Sequence, residues 1–140
     1  MISEHEKSFK AWIEKADSNL QAANVLFDAD VLILDIVCFH CQQAVEKYLK
    51  GFLVVHEIDF PRTHILEYLL QLCAAVDEDF NSFNVNELSQ YAVRARYPHD
   101  SYAPEKTEAI YYLELCSQFR KMVIEKIDFQ ISYINHLLLN

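Results

Sequence analysis

Apolar residues recur at helical spacing along nearly the whole chain. Phe9, Trp12, Ile13, Ala16, Leu20, Ala23 and Phe27 fall three or four positions apart and predict a first helix over 3–27 with one apolar stripe. Ser3 followed by Glu6 has the form of a capping box, and the aspartates of 28–30 mark the break. A second helix is predicted over 32–56. Its first half, LILDIVCFHC, is apolar almost all round, the pattern of a helix buried on several sides. Gly51 sits inside that pattern at a cost of about 1 kcal/mol relative to alanine, so it is expected to admit a neighbouring helix at close range. Thr63 is expected to cap a third helix over 63–76 that turns Leu66, Leu69, Leu70 and Cys73 inward. A polar loop over 77–84 carries Phe80 and Phe83. A fourth helix over 85–96 buries Leu88, Tyr91, Ala92 and Ala95, and Pro98 ends it, because the residue before proline is driven out of the α region. Pro104 suits the first turn of a last helix, and Glu105 and Glu108 suit the positive end of its dipole. From Ala109 through Tyr112, Cys116, Phe119, Val123, Ile127 and Ile131 to Ile134 the stripe continues. A helix over 105–136 is about 48 Å long, so its end is expected to overhang or to bend into a partner.

The polar positions are unevenly placed. Gln43, Glu46, Lys47 and Lys50 lie at i, i+3, i+4 and i+7 on the second helix and so share one face. Glu46 and Lys50 are in the favourable order for a surface pair. The face either is solvated or lines a cleft, pairing with Arg96 or with a ligand. A second concentration is VRARYPHDSY, 93–102. Arg94 and His99 lie either side of Pro98, so His99 sits on a loop able to fold back over the last helical turn. A guanidinium beside an imidazole can clamp a phosphodiester and move a proton. An arginine at that place can equally cap helix carbonyls and meet Asp100; the residues leave both roles open.

Composition narrows the class. One glycine and three prolines among 140 residues cannot supply the turns of a sheet protein. The expectation is an all-α, antiparallel up-and-down bundle of about five helices, folded as a single domain over 1–140. An apolar content of 52% is rich for a monomer and suggests a covered subunit interface. The net charge of −9 excludes nucleic-acid binding through the whole surface and confines any anion site to a local basic pocket. A single glycine also excludes a glycine-rich phosphate loop. Cys38-x-x-Cys41 lacks a second ligand pair and lies inside a helix, so Cys38, Cys41, Cys73 and Cys116 are expected to be reduced core thiols. No metal or cofactor is expected. The polar N-terminus and the lack of a long apolar run point to a cytoplasmic protein with no membrane span.

The runs CQQAVEKYLKGFL, PRTHIL and ARYPHD, followed by a long last helix, resemble the HEPN family (higher eukaryotes and prokaryotes nucleotide-binding domain), from about Phe9 to Ile127. The resemblance implies a helical bundle that forms a homodimer, and a small nucleotidyltransferase as partner, in some members as a toxin–antitoxin pair. Some members are metal-independent endoribonucleases with an Arg-x(4–6)-His motif, which maps onto Arg94 and His99. Ala95 stands where that motif has a polar residue, Pro98 directly precedes the histidine, and the family's His-x-Tyr ending is stretched to His99-Asp100-Ser101-Tyr102. The branch it looks closest to carries Arg-Tyr-Pro, here Arg96, Tyr97 and Pro98, followed by Asp100. The expected role is therefore a dimeric module that holds a nucleotide or RNA phosphate near Arg96, Tyr97, Asp100, Gln43, Glu46, Lys47 and Lys50. A metal-independent endoribonuclease using Arg94 or Arg96 with His99 is a second reading. A structural adaptor with an internal Arg96–Glu46 ion pair is a third.

Overall fold

Helices account for most of the computed structural model, which describes residues 4–29, 33–94, 96–97 and 103–139, with no strand among them. They are α1 (Glu4–Phe27), α2 (Leu34–Val55), α3 (Leu66–Val76), a 3-10 turn (Glu78–Ser82), α4 (Asn86–Ser89), α5 (Tyr91–Arg94) and α6 (Lys106–Leu139). The all-α expectation holds. Ser3 and the side chain of Glu6 lie outside the described residues, as do Ala95 and the segment from Pro98 through His99, Asp100 and Ser101 to Tyr102.

Small residues decide how α1 meets α2. Ala16 and Ala23 are fully buried on the inner stripe of α1. Gly51 faces the same seam: a Cβ there would stand 3.0 Å from Ile13 Cδ1 and 3.4 Å from Trp12 Cβ. The glycine thus does what its place in the pattern implied. The two helices are antiparallel, since Asn19 meets Lys47, Asp17 meets Tyr48, and Ile13 meets Gly51. Gly51→Leu would overfill this seam and is expected to cost about 1–3 kcal/mol in denaturant unfolding. Gly51→Ala should cost less, because alanine regains about 1 kcal/mol of helix propensity and only the mobile tip of Ile13 must give way.

α6 also runs antiparallel to α1, with Arg120 on Asp17 and Lys106 over the Phe27 ring. It runs alongside α2 in the same direction. Cys116 Sγ donates to the Cys41 carbonyl at 3.2 Å, and further along, Phe52 and His56 share a recess with Lys126 and Phe129. α2 is consequently the central helix, its core positions Val37, Cys38, Cys41, Ala44, Val45, Tyr48, Leu49, Phe52 and Leu53 closed off from solvent. The four cysteines are free and buried. Burial first, then the neighbouring Cys41, pushes the Cys38 thiol up to about 12, so it stays protonated and inert.

The chain between α2 and α6 departs from expectation in three places. Thr63 does not cap α3; its Oγ1 accepts from Ile65 N–H, and the helix starts at Leu66. The first orphan donor of α3, Leu66 N–H, is met instead by Ser89 Oγ at 2.9 Å. The expected fourth helix is divided at Gln90, where the ladder tightens: its N–H bonds to Glu87 O, three residues back. The 77–84 segment is more than a solvated loop. Asp77 caps the 3-10 turn, Phe80 is fully buried against Phe52 with ring centroids 4.7 Å apart, and Phe83 stacks on Phe119 at 4.1 Å. Lys126 Nζ clasps Asp77 at 2.6 Å and Asp79 at 2.7 Å.

α6 is longer than predicted, about 51 Å. Its buried stripe ends at Ile127, beyond which Phe129 (72%), Leu138 (79%) and Leu139 (86%) are largely exposed. The expected overhang is present. Among the described residues no helix is long and apolar enough to cross a membrane.

Candidate functional site

Because α2 is central, its neighbours leave only a narrow strip of it open. Phe39, His40, Gln43 and Lys47 occupy that strip and are half-buried. Gln42, Glu46 and Lys50 lie one step around the helix, and the chain after α2 closes over them.

The closed side is a network complete in itself. Glu46 accepts from His64 Nδ1–H at 2.8 Å through one carboxylate oxygen and from Lys50 Nζ at 3.2 Å through the other. Gln42 Nε2 donates to the His64 carbonyl at 2.9 Å, and Gln43 Nε2 donates to Gln42 Oε1 at 2.6 Å. The Lys50 ammonium stands 5.4 Å from the Trp12 ring centroid and 5.7 Å from that of Phe60, rings that meet edge to face. The expected surface pair Glu46–Lys50 is therefore corrected. Both side chains are buried, since the 58–65 segment folds back along α2 and covers them. Here Lys50 is matched by Glu46 and walled in by aromatics, which does not present it to a phosphate. The pairing of Glu46 with Arg96 is corrected too: the partners of Glu46 are Lys50 and His64, whereas Arg96 lies over the Phe39 ring at 5.8 Å.

The open side joins α1 to α2. Lys47 Nζ donates to Asn19 Oδ1 at 2.6 Å, and the Asn19 amide nitrogen lies 3.1 Å from His40 Nδ1. The order of protons follows from donor inventory. Lysine only donates, so the amide oxygen must face Lys47 and the amide NH2 must face His40. His40 Nδ1 therefore accepts, and the ring carries its proton on Nε2. Burial first, and then the charge of Lys47, lowers the pKa of His40, consistent with this neutral form. Lys47 is itself lowered, chiefly by burial and further by Lys15 and Lys50, with Glu46 opposing. Among the described residues no carboxylate reaches Lys47 within ion-pair distance; its direct partner is a neutral amide.

The Arg96 guanidinium lies over the Phe39 ring, and His40 meets the same ring edge to face at 5.6 Å. Arg96 and Tyr97 are both exposed. The structure thus links Arg96, Phe39, His40, Asn19 and Lys47 in one run across the bundle surface. It does not bring Arg94 into that run: Arg94 bonds to Gln90 Oε1 and lies over the Tyr91 ring. The Arg94–His99 pairing cannot be placed, His99 being outside the described residues. Sequence reasoning missed Asn19 and His40. His40 had a signal, at i−3 from Gln43 and i−7 from Lys47 on the same face, but it stood inside the Cys-x-x-Cys pattern. Asn19 had none, because its partners lie more than twenty residues away. Among the described residues, no three His, Cys, Asp or Glu side chains gather as a metal site.

The charges beneath α1 form a separate clamp. Asp17 Oδ1 accepts from Tyr48 Oη at 2.5 Å and from Arg120 Nε at 2.9 Å, tying α1, α2 and α6 together. Its pairs are satisfied internally, so it reads as architecture. No curated protein and no solved structure matches the chain. Residues 9–127 match the HEPN domain family. That stretch takes in α1 from Phe9, the whole α2 strip and α6 as far as its last buried residue, and the chain accordingly belongs to the HEPN domain family.

Proposed function

We propose that this chain is a cytoplasmic, homodimeric HEPN module of the Arg-Tyr-Pro branch. In this reading it binds a nucleotide or RNA phosphate and works with a small nucleotidyltransferase, as in toxin–antitoxin pairs. Family membership supports a nucleotide- or RNA-related function. The observation that carries the reading is the presentation of two cations, Lys47 on the α2 strip and Arg96 over its Phe39 ring, in a chain of net charge −9. An acidic protein would repel a polyanion elsewhere, so a phosphate would concentrate where Arg96 and Lys47 are presented. Phe39, flanked by Arg96 and His40, adds an aromatic surface of the kind on which single-stranded bases stack. The exposed apolar end of α6 supports self-association.

The test is a titration of the full chain with mononucleotides and a short single-stranded RNA, with sedimentation to read the mass. Binding that weakens with salt is expected, and Arg96→Ala should weaken it and lower the slope of log K against log salt by about one. A dimer mass is expected, and a nucleotidyltransferase should co-purify from the host. Absence of any nucleotide or RNA binding would overturn the reading.

A further inference from the structure

We infer that Lys47 and His40, positioned by Asn19 and with Lys15 nearby, form a phosphate-oxygen subsite at the α1–α2 seam. The inference rests on the nucleotide reading above and names the groups that would meet the anion. None of these three neighbours of Lys47 belongs to the Arg-x(4–6)-His segment.

The case begins with unspent donors. An ammonium has three N–H bonds and a neutral imidazole one. Lys47 uses one on Asn19, and His40 spends Nδ1 as an acceptor from Asn19, which leaves its Nε2–H to donate. Asn19 fixes both at once: it holds the ammonium through its oxygen and the ring through its nitrogen. A glutamine-length or apolar residue at 19 would not set that geometry.

Charge points the same way. Burial disfavours the charged form of Lys47 most, Glu46 opposes this, and Lys15 and Lys50 add to it. A half-buried cation whose one direct partner is a neutral amide is an arrangement that folding alone does not favour. Lys126, also half-buried, shows the contrast: it meets two carboxylates at 2.6 and 2.7 Å. The Lys47 site has the form of one completed by an anion. Separate donors from two turns of α2, at His40 and Lys47, suit a tetrahedral oxyanion better than a planar carboxylate, which arginine grips in parallel.

The ligand chemistry is a phosphate oxygen, from either a terminal phosphate or a phosphodiester. Inorganic phosphate, a nucleoside monophosphate and a short single-stranded RNA lacking terminal phosphates separate these sources. In the full chain, Lys47→Met is expected to weaken the probe that binds by about tenfold or more, and His40→Phe to weaken it less. Lys47→Arg should retain most of the affinity, and Lys121→Met, which removes the same charge from an exposed position on α6, should change it little. Thermal unfolding of each variant separates lost binding from lost fold. As a readout needing no substitution, the Asn19 side-chain amide resonances should shift on titration of the wild-type chain. If Lys47→Met matches Lys121→Met, and the Asn19 amide does not move while RNA still binds, the subsite is wrong and the wider reading stands. If the wild-type chain binds no probe, both fall.

Discussion

Glu46→Ala is expected to destabilise the protein by about 3–5 kcal/mol, read as a lower denaturant midpoint at unchanged slope. The substitution leaves Lys50 without its carboxylate inside a pocket bounded by Trp12 and Phe60. It also releases His64, whose ring and backbone hold the 58–65 segment on α2. The size comes from the uncompensated charge and not from the net worth of the pair. Replacing Glu46 and Lys50 together by leucine and methionine should therefore restore most of the loss. If the double variant were no more stable than Glu46→Ala, the buried-pair account would be wrong, and the cost would belong to the segment that His64 anchors.

Phe52→Ala should cost a similar amount, about 3–5 kcal/mol, by a different route. Phe52 is 1% exposed, and its ring lies 4.4 Å from that of His56 and 4.7 Å from that of Phe80. Truncation opens a cavity between α2 and the 3-10 turn. Phe80 is the aromatic anchor that keeps this turn on the bundle, and Lys126 clasps the same turn from α6 through Asp77. Loss of the ring should thus loosen the 77–82 turn as well as lower global stability. Hydrogen exchange would show faster amides there than in α1. Equal acceleration in both would mean that the turn is not a locally dependent unit.

These two residues show what the sequence could and could not convey. Helix content and the inward stripes were legible, because burial repeats with the helical period and depends on local spacing. So was the role of Gly51, since one glycine inside an apolar run has few uses. The failures share a cause. Thr63 had the right side chain and position for a cap, but Ser89, distant in sequence, supplies the oxygen that Leu66 needs. Glu46 and Lys50 had the spacing of a surface pair, yet their burial depends on where the 58–65 segment lies. Asn19 carried no sign of its role, because the role exists only when α1 and α2 are side by side. Pairwise spacing within one helix is written in the chain, whereas what covers a face is settled by elements that arrive from elsewhere.

The same distinction separates structural charges from available ones. Before folding, Lys47 and Lys50 are equivalent members of one polar face. Afterwards Lys50 is matched and enclosed, while Lys47 is held out on an amide next to a neutral imidazole. The account stands on that difference. Heteronuclear NMR of the wild-type chain titrated with a short single-stranded RNA tests it most directly. The account predicts shifts concentrated at Asn19, Phe39, His40, Gln43, Lys47 and Arg96, with the Asp77–Lys126 end of the bundle unmoved. Shifts centred on that other end, with the α2 strip unchanged at saturation, would contradict it.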